Sequence, residues 1–472
     1  MFNRRQFLQA GAVGLLGNAA LSELFAAESA AQGPGLPGLP HFKPRAKRVI
    51  YLTMEGGPSQ LDTFDHKPDL MKLAGQELPP SVRGTQRLTG MSSGQGKLPI
   101  GPSPFKFDRY ANNQDGIWLP EFLKHTGGVA KDLCVIRTLN TEQINHGPAV
   151  TYMQTGFQLP GRPSMGAWLS YGLGSVNRNL PSFAVLISQG GGQGQALFTH
   201  FWGSGFLSSQ HQGVQLRAGK EPVLFLNDPD GVTRADRRAQ LDLIGGLNGL
   251  SQEKFHDAET EARIAQSEMA FRMQASVPEL SDLSQEPKHV LDLYGPDVTK
   301  PGTFAYNCLM ARRMAERDVR FIQLYHRNWD QHGNINGELP KQCRDIDQAQ
   351  AALITDLKQR GLLDDTLVIW GGEFGRTSYC QGGYNPNKIG RDHHPRCFSV
   401  WVAGGGFKPG IVHGSTDEFS YNIAEGGVSV NDFHATLLNQ LGIDHVRLSQ
   451  KVQGLDMRLT GVAGKVRREL LG

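Results

Sequence analysis

Only five cysteines occur in 472 residues: Cys134, Cys308, Cys343, Cys380 and Cys397. Their number is odd and none stand as C-x-x-C, which argues against a zinc knuckle or a disulfide framework. If an oxidising compartment joined any two of them, Cys380–Cys397 is the candidate pair. An excess of charge of one sign is also missing. The net charge is +3, and no basic patch is interleaved with aromatics, so the chain does not read as a nucleic-acid binder. The N-terminal apolar stretch is broken by Gln9, Asn18, Ser22 and Glu23, which excludes a stable membrane span there. There is no G-x-S-x-G, so a serine elbow is absent. VAGGGFKPG lacks the Lys-Ser/Thr ending of a phosphate loop, and QGGGQGQ (189–195) reads as a loop rather than a dinucleotide fingerprint. Trp-Asp and His-Gly dipeptides do not recur at a propeller period.

What is present begins with MFNRRQFLQAGAVGLLGNAALSELFAA, where twin arginines precede a modest apolar stretch and small residues. Residues 1–32 are expected to be a twin-arginine export signal handled by that translocase, which places the mature protein in the periplasm or cell envelope. Residues 33–46, rich in Pro, Gly and Ala, read as a linker. Hydrophobic content of 39% and charged content of 20% suit a globular body. The 58 glycines imply many tight turns, which a loop-built site requires.

Along that body, β-like runs alternate with helical ones. RVIYLTM (48–54), DLCVIRTL (132–139), SFAVLIS (182–188), VRFIQLY (319–325), DTLVIW (365–370) and CFSVWVAGG (397–405) are expected strands. WLPEFLKHTGGVA (118–130), 251–275, 303–318, 342–361 and VNDFHATLLNQLG (430–442), with an Asn/Asp cap, are expected helices. NHGPAVTYMQTG (145–156) is a further helix, with Asn145 at its N-cap, Pro148 in its first turn and Gly156 at its end. That puts His146 at a helix start, which favours an anion. The alternation defines an α/β fold, a three-layer α/β/α arrangement around a mainly parallel sheet.

Polar clusters fall where strands of such a sheet end, and ligands bind there. Glu55 follows YLTM. His326, Asp330 and His332 follow FIQLY. Glu373 follows LVIWGG, and Asp392, His393 and His394 stand just before CFSVWV. Carboxylates and imidazoles together are ligands for a divalent metal: Zn, Mn, Ca or Mg.

The phrases EGGPSQLDTFDHKP, NHGPAVTYMQTG, GRPSMGAWLSYGLG, WGSGFLSSQHQGV, NCLMARRMAERDVRFIQLYHRNWDQHGN, VIWGGEFGRT, GRDHHP and NDFHATLLNQLGID carry a resemblance. The chain resembles the exported bacterial domain-of-unknown-function family 1501, which belongs with the alkaline phosphatase and sulfatase superfamily. The resemblance implies one alkaline phosphatase-like domain over 47–464, a helical insertion at 251–300 and a C-terminal tail at 465–472. Sulfatases write their nucleophile helix as C-x-P-S-R-x-x-x-x-T-G. The stretch from His146 to Gly156 has the same length and the same Pro offset, so the resemblance puts His146 at the nucleophile position. Formylglycine chemistry is excluded there, because that cofactor is made from Cys or Ser. Asp330, His332 and His393 match a first metal site. Glu373 and Glu55 match a second, with Asp62 as substitute, although Phe374 stands where a further ligand is usual. Arg376 is placed to grip an anion.

The implied activity is metal-dependent hydrolysis of an anionic ester, phosphate or sulfate, on a small molecule or a glycan. The rival reading is a non-catalytic member that binds sulfated or phosphorylated glycan or an envelope partner. A third is phosphoryl transfer through a phosphohistidine at His146.

Overall fold

Val49, Tyr51, Ile50, Leu52 and Met54 alternate along the run Arg48–Met54, and every residue of that run is buried. Alternation with burial on both faces is the signature of a central strand covered on each side. The structure, a computed structural model, describes residues 35–472 apart from 111–115, 192–193, 219–222, 224–227, 229–230 and 256–257. The expected export signal therefore lies outside the described residues.

Among the described residues the main sheet has nine strands. They are β1 (Arg48–Met54), β2 (Leu133–Asn140), β3 (Phe183–Gln189), β4 (Val214–Leu216), β5 (Phe321–Arg327), β6 (Thr366–Gly371), β7 (Phe398–Ala403), β8 (Ile411–His413) and β9 (Val428–Ser429). Their order is β8-β2-β7-β6-β1-β5-β3-β4, with β9 also paired to β2. β1 runs parallel to β5 and β6, and β5 parallel to β3. Among the described strands of this sheet, only β7 is antiparallel to its neighbours, β2 and β6. The expected mainly parallel sheet is what the chain forms.

Helices cover both faces. α1 (His146–Thr155), α2 (Met165–Leu173) and α7 (Val430–Gln440) pack on Val49, Tyr51, Phe321 and Ile369. On the other face α5 (Phe304–Glu316) and α6 (Ile335–Gln359) pack on Ile50, Leu52, Ile322 and Val368. Between α2 and α5 in the chain lie α3 (Arg234–Phe255) and α4 (Ala258–Ser281), which are in contact with each other. The two sets of strand residues differ by one position, so sheet and helices make the three expected layers. No helix among the described residues is long and apolar enough to cross a membrane.

Four local expectations change. Residues 118–130 are not one helix: Ile117–Pro120 pairs with Phe107–Tyr110, and only Lys124–Gly128 is helical. Pro120 holds Leu119 extended, which suits a strand. α6 starts at Ile335, earlier than 342, because the Asn334 side chain accepts from the Gly337 nitrogen as its N-cap and Pro340 is absorbed in its second turn. α7 is capped by Ser429 rather than by Asn or Asp, and Asp432 closes a capping box with it. The five cysteines are free and buried, and Cys397 donates to the Ser420 carbonyl rather than joining Cys380.

Near the ends of the described chain, Arg45 and Ala46 donate to the Gln440 carbonyl at 2.8 and 2.9 Å, and Leu470 is buried.

Candidate metal centre

The centre is built where β1, β5 and β6 end. After β5 the chain turns through Asn328, which has φ 80°, and buries Trp329. Gly56, after β1, has φ 121°, and a Cβ on it would come within 2.7 Å of the Asp330 nitrogen. A side chain at that position would push the two turns apart, so Gly56 is what allows Asp330 its place. His332 follows two residues on. His146 is the first residue of α1. That helix ends as expected at Gly156 with φ 69°, although the Asn145 side chain makes no capping bond. His393 comes from a two-stranded ribbon, Gly375–Cys380 with Arg391–His394.

One nitrogen or oxygen each from His146, Asp330, His332 and His393 lies within 4.8 Å of all the others. Asp330 Oδ1 is 2.8 Å from His332 Nε2, 3.3 Å from His146 Nε2 and 3.5 Å from His393 Nε2. His332 Nε2 and His393 Nε2 are 3.0 Å apart. Metal–ligand bonds of about 2.0–2.1 Å in a tetrahedron imply ligand separations of about 3.3–3.4 Å. The observed separations bracket that value.

The far side of each ring fixes its proton. His146 Nδ1 lies 2.6 Å from Glu373 Oε1, His332 Nδ1 2.5 Å from Gln381 Oε1 and His393 Nδ1 2.7 Å from the Ile144 carbonyl. All three partners are acceptors, so each Nδ1 carries the hydrogen. In the neutral rings every Nε2 then points a lone pair at the same carboxylate oxygen. Lone pairs and a carboxylate facing one another require a cation between them, or protons. His146 Nε2 is buried and has no hydrogen-bond partner. The donor set, three imidazoles and one carboxylate with partners behind each ring, fits a divalent metal.

Electrostatics agree. Burial alone would raise the Asp330 carboxyl, but the three imidazoles and Arg376 hold it well below the usual carboxylate range. Burial drives His393 down to about 4. Burial opposes the charge on His146 too, yet Asp330 and Glu373 raise it to about 9. Without a metal, His146 therefore carries the proton that offsets the two acids. Its unfolded value is about 6.5, so this group stabilises the metal-free fold fully below about pH 6.5. The contribution is lost as pH rises through about 9. A metal must displace that proton, so its uptake at neutral pH should release one proton, and affinity should rise toward about pH 9. Calorimetric titration in buffers of different ionisation heat measures this; no proton release would contradict it.

The other expected residues do not join the cluster. Glu373 supports His146 and accepts from the Gly56 nitrogen at 3.1 and 3.2 Å. Glu55 is buried with Oε2 unpartnered, and burial and then Glu373 raise it to about 8. Its carboxylate neighbour Glu373 is already engaged by His146 and the Gly56 nitrogen, so the expected second carboxylate pair does not stand open. Phe374 fills the adjoining space, its ring centroid 4.9 Å from His146 and 4.5 Å from His393.

Asp62 is taken by Arg391, at 2.5 and 3.0 Å, and is not available to a metal. Arg376 is not free to grip an anion: it is 1% exposed and donates to Asp330 Oδ1 at 2.6 Å and to the Gly57 carbonyl at 2.9 Å. His326 is held by Ser188, Asp392 by Thr89 and Ser92, and His394 by the Tyr421 carbonyl.

Sequence reasoning missed three contributors. Gln195, in the Gly-rich run, donates to Asp330 Oδ2 at 2.9 Å. Gln381 and the Ile144 carbonyl orient two rings, and neither carries a signal in sequence.

Replacing Glu373 with Gln removes the charge behind His146. Metal affinity is expected to fall roughly 10–100-fold with stoichiometry unchanged, as read by competition with a chromogenic chelator. A lost equivalent of metal would instead make Glu373 a ligand of a second ion.

Fold and centre together define a three-layer α/β protein with a candidate metal site at the carboxyl ends of its parallel strands. Residues 46–471 match the family described as "Protein of unknown function (DUF1501)", and the chain belongs to it. No curated protein matches the chain significantly. Solved structures similar to it include Ps i-CgsB in complex with k-i-k-neocarrahexaose, at 11% identity over 89% of this chain and 75% of that one, TM-score 0.36. Others are the alkaline phosphatase from the Antarctic bacterium TAB5 (12% identity, 84% and 98% covered, TM-score 0.33) and the PsFucS1 sulfatase from Pseudoalteromonas sp. (13%, 90% and 74%, TM-score 0.32).

Proposed function

We propose that the protein is a metal-dependent hydrolase of anionic esters, with His146, Asp330, His332 and His393 as the ligands of one divalent ion. The observation that supports this most is the set of three Nε2 atoms around Asp330 Oδ1, each ring backed by an acceptor at Nδ1. Three nitrogens and one oxygen suit Zn or another borderline ion better than Ca or Mg, which prefer oxygen. A bound ion supplies positive charge that polarises an ester oxygen and lowers the pKa of water. Asp330 anchors the ion, with its charge balanced by Arg376. Glu373, Gln381 and the Ile144 carbonyl hold the rings in one tautomer. His146 has Nδ1 engaged by Glu373 and Nε2 facing Asp330, so a covalent phosphohistidine is disfavoured and water is the attacking group. The reading includes export of the folded, metal-loaded chain by the twin-arginine route, which acts on folded protein.

Aryl phosphates and sulfates should be hydrolysed by the purified protein with added Zn or Mn, and the turnover should stop with chelator. One observation favours a second reading, glycan binding without catalysis: Arg376, the residue expected to grip the substrate anion, is tied to Asp330. Metal-loaded protein that turns over none of the esters would overturn the hydrolase.

A further inference from the structure

A cavity of about 370 Å³ lies along the outer side of α1. Its lining includes Gln143, Tyr152, Phe157, Arg162, Asn431 and Arg458. None of the metal-centre residues line it. Yet it shares α1 with them: Tyr152 is six residues from His146, about 9 Å along the helix axis. Gln143 precedes His146 by three residues, and its side chain donates to Gln158 at 2.5 Å, joining the loop before α1 to the loop after it.

Arg162 gives the cavity its character. Its guanidinium carbon sits 3.8 Å over the centre of the Phe157 ring, so the fork is held in place by a cation–π contact. Burial pulls its pKa down with no acid to counter it. Among the described residues no carboxylate forms an ion pair with Arg162 or with Arg458, although Glu142 and Asp456 belong to the same lining. Arg162 is thus half withdrawn from water without a counter-charge, and a desolvated guanidinium favours an anion. Asn431 also lines the cavity, and its side-chain amide is a hydrogen-bonding group of the kind a hydroxyl pairs with. Tyr152 and Phe157 add aromatic surface to a lining of amides and guanidinia.

We infer that this cavity is a subsite for an anionic saccharide unit, with Arg162 and Arg458 taking its sulfate or phosphate group, Asn431 a hydroxyl, and Tyr152 the sugar face. A simple inorganic anion would use the arginines and leave the amides and the aromatic ring idle. In terms of role, the inference rests on the hydrolase reading: the subsite would hold a glycan whose ester reaches the metal centre around the start of α1. Binding itself does not need the metal.

That difference sets the experiment. Calorimetric titration of the folded full-length protein, with and without chelator, would use a sulfated glucan oligosaccharide, its desulfated form and inorganic sulfate. The sulfated oligosaccharide should bind in both metal states and more tightly than either control. Arg162→Gln should weaken it about tenfold, with Arg162→Lys between the two and unfolding midpoints unchanged. Equal affinity for Arg162→Gln and wild type, or for sulfated and desulfated oligosaccharide, would overturn the subsite. So would inorganic sulfate binding as tightly as the oligosaccharide. Binding that vanishes with chelator would locate the ligand at the metal and overturn it as well. Saccharide binding without ester turnover would instead count against the hydrolase and leave the subsite standing.

Discussion

Asp330→Asn should strip the protein of its metal. The substitution keeps the shape of the side chain and removes its charge, at the one oxygen that faces three imidazole nitrogens and Arg376. Elemental analysis should fall from about one ion per chain to a small fraction, since losing an anionic ligand should cost more than the roughly 10–100-fold typical of losing a partner behind a ligand. Stability should fall too. Asp330 is the only acid that pairs with the buried Arg376 among the described residues. Leaving such a charge uncompensated costs about 3–5 kcal/mol, read as a shift of the urea midpoint. Where that loss leaves too little folded protein, His332→Ala provides a second test. His332 is the most exposed of the four side chains, at 15%, so it should lose metal with a smaller loss of stability. Full occupancy in folded Asp330→Asn protein would sink the assignment.

Asp62→Asn should separate a structural acid from a ligand. Asp62 and Arg391 are both fully buried and joined through two contacts. Breaking the pair from one side is expected to cost about 3–5 kcal/mol, whereas an Asp62→Leu/Arg391→Met double replacement should recover most of it. The metal content of the folded fraction should stay at the wild-type value in both. A loss of metal that tracks Asp62 alone would return that residue to the centre.

These two acids show what sequence can and cannot reveal. Strand ends were legible because β1, β5 and β6 are short apolar runs that stop at polar residues, and such a sheet gathers its strand ends on one edge. Asp330 and His332 were legible as a tight loop after one of those runs. Asp62 was misjudged because its partner, Arg391, is 329 residues away, and no local pattern announces that contact. Arg376 was misjudged for a similar reason: an arginine beside a candidate ligand looks the same whether it waits for a substrate or balances Asp330. The Ile117–Pro120 strand was hidden because its extended form depends on Phe107–Tyr110 as a partner. Gln195 stood in a run noticed only for its glycines.

The acceptors behind the three imidazoles have one more consequence. They arise from the loop before α1, the turn after β6 and the residue after the Gly375–Cys380 strand, and none of them needs an ion to be in place. The ring orientations are therefore settled as the chain folds, and the entropic cost of ordering them is met before any metal arrives. Chelation should then leave a folded apo-protein, with amide hydrogens around the strand ends still slow to exchange. In this respect the centre would behave like a mould that keeps its shape when emptied, unlike small zinc domains whose ion is the reason they fold at all.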